Sequence, residues 1–319
     1  MWFFVLRRIL YVVPIAIGVS LICFALVYLS PGDPASAIIP DNTPPDVADQ
    51  IRAAYGFDKP LPVQYLLWLG HVATGDLGQS LATRRPVIWE IIPASINSLK
   101  LAGGAILLAA IMGITLGTLA AYRMGRVSDR AISSVGIVGM SVPQYWVGMV
   151  LIVIFAVQLG VLPATGMGDP GRDSLSKQLS HFILPMITLA TVPAGILSRS
   201  VRSMVSEVLQ QEFVQALEAK GLGPARIFLH VAKNAAPPLL AIMGLQFAYL
   251  LGGSILVETV FAWPGTGFLL NQAIFTRDLP VIQGTVLVLA MFFVLTNVAV
   301  DILQMLFDPR LKTARRGGS

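Results

Sequence analysis

EFVQALEAKGLGPARIFLHVAKNAAPP, residues Glu212 to Pro238, is polar, charged and helix-prone, and long apolar runs flank it on both sides. Val205, Val208, Leu209, Phe213, Ala216 and Leu217 recur every three or four residues, the spacing of one helix face. Glu207, Gln211, Glu212, Gln215 and Glu218 take much of the remaining surface. GLGP then stops the pattern: Gly221 and Gly223 accept backbone angles that other residues avoid, and Pro224 suits a first helical turn. A second helical pattern, Ala225 to Ala235, continues into the next apolar run. The stretch predicts a helix, a sharp glycine turn and a second helix, held out between two membrane spans. Two roles fit such an arm: a rigid docking element for a partner, or a surface helix lying on the membrane.

The apolar runs decide the fold class. A membrane-spanning helix needs about 20 mostly apolar residues. Six segments qualify: about Ile9 to Leu29, Leu99 to Tyr122, Ala131 to Leu159, His181 to Leu197, the pair Pro237-Pro238 to about Val257, and Val281 to about Leu306. The expected fold is an all-α integral membrane protein with six transmembrane helices. The first run follows Arg7 and Arg8, and Ala35 to Ala37 mimics a signal cleavage site. The run is longer than the roughly 7–15 apolar residues of a signal peptide, so it reads as an uncleaved anchor.

Basic residues mark the cytoplasmic side of a membrane protein. With the N-terminus inside, residues 1–8, 123–130, 198–236 and 307–319 hold 14 of the 22 Lys and Arg, while 11 of the 17 acidic residues fall outside. Both termini and the arm are then cytoplasmic, as six spans require. The basic tail RLKTARRGGS fits an anchor near lipid phosphates.

Composition agrees. Only 12% of the 319 residues are charged, against about 25% in soluble domains. The net charge of +5 is explained by the cytoplasmic loops, and no nucleic-acid-binding motif accompanies it, so nucleic acid is not an expected partner. The single cysteine, Cys23, rules out an intrachain disulfide and reads as a small core side chain. His71, His181 and His230 are too scattered for a metal site.

The segment Ser30 to Ser98 is the longest outer piece and is expected to form a small helical cap, with amphipathic stretches near Val47 to Tyr55 and Val63 to Val72. The spans carry no acidic or basic residue in their middles, so no proton relay of the kind ion-coupled transporters use is visible. There is no Walker A motif, no HExxH and no Ser, His and acid within one loop, which argues against an enzyme. A GxGxxG at Gly166, Gly168 and Gly171 follows no strand and reads as a turn cluster. Gly113 to Gly117, GITLG, fits close helix packing, and Pro143 should bend the third span. The uncharged polar residues Ser141, Gln144, Thr188, Thr191, Gln246, Ser254, Thr296 and Asn297 either line a path or bond between helices. Six spans with no engine and a projecting arm imply an external energy source.

Motifs along nearly the whole chain resemble one family. QALEAKG, Gln215 to Gly221, resembles the EAA loop of ABC importer permeases, with Gln215 in place of the Glu and Leu217 in place of the second Ala. FVQALEAKGL and KNAAPP resemble the peptide-permease form of that loop. PGDP at Pro31, YGFDKPLPVQYLLWL from Tyr55, GDLGQS from Gly75, SVPQYWVG, HFILP, SRSVRSMVSEVL, E..FAWPGTG around Pro264, RDLP from Arg277 and FDPRL are similar to the first permease of dipeptide and oligopeptide importers. PASINSLKLA departs from that pattern in lacking an Arg and a Thr.

The resemblance implies a type I (MetI-like) importer permease fold and a non-catalytic membrane subunit located in the bacterial inner membrane. It implies a heterodimer with a second, homologous permease, two ABC ATPase subunits, and an extracytoplasmic binding protein that delivers substrate. ATP and magnesium would be bound by the ATPases, and this chain would hold no cofactor. Its coupling loop would comprise Glu212, Phe213, Gln215, Ala216, Ala219, Lys220, Gly221 and Gly223, and Ser141, Gln144, Thr188, Gln246 and Ser254 are candidates for the path. The cargo would be di- or oligopeptides, with nickel complexes, glutathione or sugars as alternatives. An ion-coupled transporter or channel acting alone is the alternative of another class. The expected division is 1–30 for the tip and first span, 31–98 outside, 99–307 for a five-helix core with the loop 198–236, and 308–319 for the tail.

Overall fold

The computed structural model describes residues 2–29, 39, 43–169 and 171–307. The PGDP motif, the ASA triplet and the basic tail lie outside these. Twelve α-helices follow one another among the described residues: α1 (Trp2–Leu29), α2 (Pro45–Tyr55), α3 (Leu61–Ala73), α4 (Val87–Tyr122), α5 (Val127–Ser141), α6 (Gln144–Leu151), α7 (Leu175–Leu209), α8 (Glu212–Ala219), α9 (Pro224–Gly253), α10 (Ile255–Val260), α11 (Thr266–Thr276) and α12 (Leu279–Phe307). A π-helical segment, Ile152–Gln158, prolongs α6. Among the described residues the nearest thing to a strand is one isolated bridge, Gln79 to Pro86.

Four helices, α4, α7, α9 and α12, are long and apolar enough to cross a membrane. The pair α5 and α6 makes a fifth if taken as one span, bent by 100° at its break. Within α1, Val12–Ala25 is a shorter apolar helix. These six apolar segments fall where the six expected spans do. Their limits differ in several places, and the fourth helix runs from Leu175 to Leu209 rather than from His181 to Leu197. The second span starts at Val87 rather than Leu99, because Pro93 sits inside the helix without ending it. The third is divided at Val142 and Pro143, as the proline implies, but far more sharply than a simple kink. The fifth does not begin at Pro237-Pro238. Both prolines lie inside α9, which starts at Pro224, so the second half of the arm and the fifth span are one helix. That helix ends at Gly253, and Val257 belongs to α10.

α4 and α7 form the most extensive helix contact. Small residues let their backbones approach. A Cβ on Gly113 would lie 2.5 Å from Leu197 Cβ, and one on Gly117 would lie 2.4 Å from the Ser198 carbonyl oxygen. GITLG is thus a packing seam. Around it Leu101, Ala105, Leu184, Leu189, Leu250 and Phe261 form the main core. α12 lies at the edge of this core, touching it through Phe292, and packs mainly against α9 and α1. Only 11% of its most apolar window is buried, against 44% for α7, so most of its apolar surface is left for lipid or another subunit. Cys23 is buried beside α12, where Gln283 donates a hydrogen bond to its carbonyl.

Between Pro45 and Pro86 the chain forms two short helices followed by a loop. α2 and α3 cover the expected amphipathic stretches. Tyr65 and Trp68 of α3 pack on Phe24 of α1 with ring centroids 5.5 and 5.9 Å away. The loop before α4 is tied to the start of α12 by Asp278, which accepts hydrogen bonds from Ser80 Oγ at 2.5 Å and the Ala82 N–H at 3.1 Å.

Candidate functional site

The arm is built at the ends of α7 and α9. The apolar stripe expected on one helix is divided between two, because α7 ends at Leu209 and Gln211 turns the chain into an extended cap before α8. Except for Ala216, which is exposed, the stripe faces inward. Val205, Val208, Val214, Ile227 and Val231 form a second core with Ala121 of α4, and Phe213, Leu217 and Leu222 pack against it. These side chains seat the arm on its own bundle. Its outer surface is left to Glu212, Gln215, Ala216, Glu218, Ala219, Lys220, Gly221 and Gly223, all exposed.

The turn after α8 has a defined hydrogen-bond pattern. Gly221 has φ of 75°, in the left-handed region. Its N–H donates to the Glu218 carbonyl at 2.8 Å, and the Leu222 N–H donates to the Leu217 carbonyl at 3.2 Å. This is a Schellman motif, which satisfies two end carbonyls and needs a left-handed residue at the Gly221 position. Leu222 and Leu217 both contact the second core, the apolar contact that accompanies the motif.

The polar span residues do not form one cluster. Ser141 is exposed and its hydroxyl donates to the Ile137 carbonyl of its own helix. Thr188 is fully buried and bonds back to Leu184. Gln144, beside the Pro143 break, donates to the Leu189 carbonyl of α7 at 3.3 Å. Gln246 is buried on α9 with its Oε1 unpartnered among the described residues. Ser254 is buried and donates to Glu258 Oε1 at 2.9 Å. Thr188 and Ser254 are therefore engaged within the helix bundle, and Gln144 and Gln246 keep polar capacity near a helix break and in a buried position.

Two carboxylates that the sequence did not single out organise the bundle. Glu258 is fully buried. Its Oε1 accepts from Ser98 at 2.6 Å and Ser254 at 2.9 Å, and its Oε2 accepts from the N–H groups of Gly267 at 2.7 Å and Phe268 at 3.2 Å. It caps the N–H groups at the start of α11 that have no partner within the helix, a favourable place for negative charge. Trp263 donates to the Asn97 carbonyl and Asn97 donates to the Pro264 carbonyl, so the whole FAWPGTG turn is stitched to α4. Gly265 has no room for a side chain, since a Cβ would stand 2.4 Å from both Glu258 Oε2 and Ser98 Oγ. The second carboxylate is Asp129 of α5, buried and held by Arg202 of α7. In sequence these charges sit near expected span ends, where the positive-inside pattern explained the basic partner. The separation of 73 positions between Asp129 and Arg202 hid the pair.

The family pattern described as "Binding-protein-dependent transport system inner membrane component" matches residues 113–313, and its companion, "Binding-prot-dependent transport system membrane comp, N-term", matches residues 1–91. The chain belongs to this family. It is a permease component of a binding-protein-dependent transport system and a multi-pass membrane protein. The di/tripeptide transport system permease protein DppB of Pseudomonas aeruginosa is 38% identical over 98% of this chain and 99% of its own length. The dipeptide transport system permease protein DppB of Alkalihalophilus pseudofirmus is 37% identical over 97% of this chain and 99% of its own. The glutathione transport system permease protein GsiC of Salmonella typhimurium is 37% identical over 97% and 98%. Among solved structures, an inward-facing MetNI methionine ABC transporter matches with a TM-score of 0.57 and 19% identity, covering 69% of this chain and 97% of the matched one. That likeness bears on the fold, which is the type I importer permease fold.

Proposed function

We propose that this chain forms half of the translocation path of an ATP-driven importer for di- or oligopeptides. The second half is a homologous permease, and two ATPase subunits bind ATP and magnesium and carry out hydrolysis. An extracytoplasmic binding protein delivers the cargo. Both termini and α8 lie on the cytoplasmic side, in line with the basic residues gathered there. The cargo reading rests on likeness to dipeptide and di/tripeptide permeases, and the glutathione relative makes a small γ-linked peptide a cargo to offer as well.

The single observation that carries the coupling is the mounting of α8. It stands between α7, of 35 residues, and α9, of 30 residues, both running unbroken into the bundle. At about 1.5 Å per residue these helices are roughly 50 and 45 Å long, longer than the ~30 Å apolar thickness of a bilayer. Their ends stand clear of the membrane and carry α8 on a packed core. A push on Glu212, Gln215, Lys220 or Gly221 is therefore delivered to two rigid rods rather than absorbed in a loop. Closure of the ATPases would bias the permease between inward-open and outward-open states by their differential affinity for the two. The bent segment at Pro143, with Gln144 beside it, is the place on this chain where a path-lining element can change shape.

Uptake in proteoliposomes tests this. The chain is purified with its partner permease and ATPases, and labelled dipeptides or glutathione are offered with the binding protein. Uptake that needs ATP on the ATPase side and ignores ion gradients is expected. Uptake driven by an ion gradient without ATP would overturn the reading.

A further inference from the structure

Between α5 and α7 lies a cleft of about 320 Å³ that none of the candidate path residues lines. Contacts run in antiparallel order along it: Asp129 meets Arg202 near one end, and Gly136 approaches Gly195 two turns further along both helices. Arg130 and Arg199 line it, are exposed, and have no hydrogen-bond or ion-pair partner for their guanidinium groups among the described residues. Arg202 is neutralised by Asp129, so the cleft keeps the two free positive charges. The rest of the lining includes Ile132, Ile137 and Met140, with Val135 and Val138 exposed on the same helix.

The cleft is thus charged in one part and apolar in another. The apolar spans expected from sequence run from Ala131 and to Leu197, so Arg130 and Arg199 fall immediately outside the hydrocarbon region. That is the depth of lipid phosphates, and basic pockets between membrane helices suit anionic headgroups. A free peptide fits less well, because beyond the arginines and the hydroxyls of Ser133 and Ser198, which lie at the same end, the wall is Gly136, Ile137, Met140 and Gly195 and offers mostly carbon.

We propose that the α5–α7 cleft binds an anionic phospholipid, with Arg130 and Arg199 on the phosphate and an acyl chain along Ile132, Ile137 and Met140. The assignment rests on the membrane placement of the permease given above. Because the cleft touches both the bent segment and the helix that leads to α8, an occupied site would brace the two against each other.

The test uses the complete importer, purified in detergent after incubation with phosphatidylglycerol or phosphatidylcholine vesicles, with bound lipid counted by native mass spectrometry. Wild type is expected to retain phosphatidylglycerol, and R130Q/R199Q to bind it roughly thirtyfold less tightly, the combined effect of two arginines near a membrane surface. R130K/R199K should recover most of the binding, and R123Q, which removes a charge outside the cleft, should leave it unchanged. Phosphatidylcholine retention should not differ among the variants. Equal phosphatidylglycerol retention by wild type and R130Q/R199Q overturns the site. Displacement of the lipid by inorganic phosphate alone, or a rise in the peptide KM with unchanged lipid retention, would assign the arginines to a free anion or to cargo and overturn it too. ATP-driven uptake in phosphatidylcholine bilayers reads the importer separately, so either idea can fail without the other.

Discussion

Arg202 grips Asp129 with both arms of its guanidinium: Nε lies 2.5 Å from Oδ1 and Nη2 lies 2.8 Å from Oδ2. The Gly125 N–H adds a third bond to the same carboxylate at 2.9 Å. One ion pair therefore joins the α4–α5 turn, the bent segment and the helix that ends at the arm. A bidentate pair of this kind is directional, and lysine cannot reproduce it. D129N should lower the melting temperature of the importer and reduce uptake per ATP hydrolysed. R202K should keep most of the stability while still losing part of the coupling. The exchange D129R/R202D is expected to recover some of the lost coupling. Paired measurements of ATPase rate and uptake check this, and unchanged coupling in both single variants would remove the pair from the transmission of motion.

Gly221 is the hinge of the arm. A Cβ there would meet open space, so a substitution acts through backbone angle alone. G221A should cost about 1–2 kcal/mol, the penalty of an L residue in the left-handed region, and should leave uptake reduced. G221P removes the N–H that bonds Glu218 and forces φ to the wrong sign. It should abolish transport while membrane insertion and the rest of the bundle stay intact. Normal uptake by G221P, with insertion verified by labelling, would contradict a coupling role for this turn.

Glu258 tests how far one buried carboxylate organises the outer half. Each of its oxygens accepts two hydrogen bonds. A glutamine keeps the volume, but its NH2 can face only the Ser98 and Ser254 hydroxyls, which must turn round to accept, because the Gly267 and Phe268 N–H groups can only donate. E258Q should cost about 1–3 kcal/mol, the range for weakening or losing a buried hydrogen bond to a charged group, and E258A should cost more, because it leaves the Gly267 and Phe268 donors unsatisfied and adds a cavity. G265A should resemble E258A, because its methyl group would occupy the place of Glu258 Oε2. Thermal unfolding of the purified complex ranks the three, and a wild-type melting temperature for E258A would show that the network contributes nothing.

The segment between α1 and α4, proposed to lie outside, carries a prediction about delivery. Asp278 is buried and holds the loop at Ser80 and Ala82 against the start of α12. D278A should loosen this loop and weaken binding-protein docking several-fold while basal ATPase activity persists. Deleting residues 47–54, most of α2, should do the same if the outer cap receives the binding protein. Docking measured by surface plasmon resonance on the reconstituted importer separates the two effects. Unaltered docking after the deletion would take α2 out of that role.

Much of this molecule was legible in the chain. Six apolar runs of sufficient length place six helical segments, because in a bilayer a backbone must satisfy its hydrogen bonds within the segment. The arm was visible as charge between two apolar runs, and its glycine turn as GLGP. The break at Pro143 and the packing role of GITLG were also readable, since each follows from the local chemistry of one or two residues. The candidate path was much less so. Ser254 and Thr188 looked like the other polar span residues, yet they are spent on Glu258 and on the Leu184 carbonyl. Period alone could not tell that the stripe from Val205 to Leu217 is cut at Gln210 and Gln211 and folded inward onto Val231 and Ala121.

The sequence by itself determined the class of the protein, its apolar helical segments and the place of its arm along the chain, because length, hydropathy and turn chemistry are local quantities. Only the tertiary structure decided which face of the arm is free, how sharply the third span breaks, and that Asp129 finds Arg202 and Glu258 finds Ser98. Those depend on which helices become neighbours, and a buried charge takes its partner from whatever the packing brings within hydrogen-bond reach, however far away it lies along the chain.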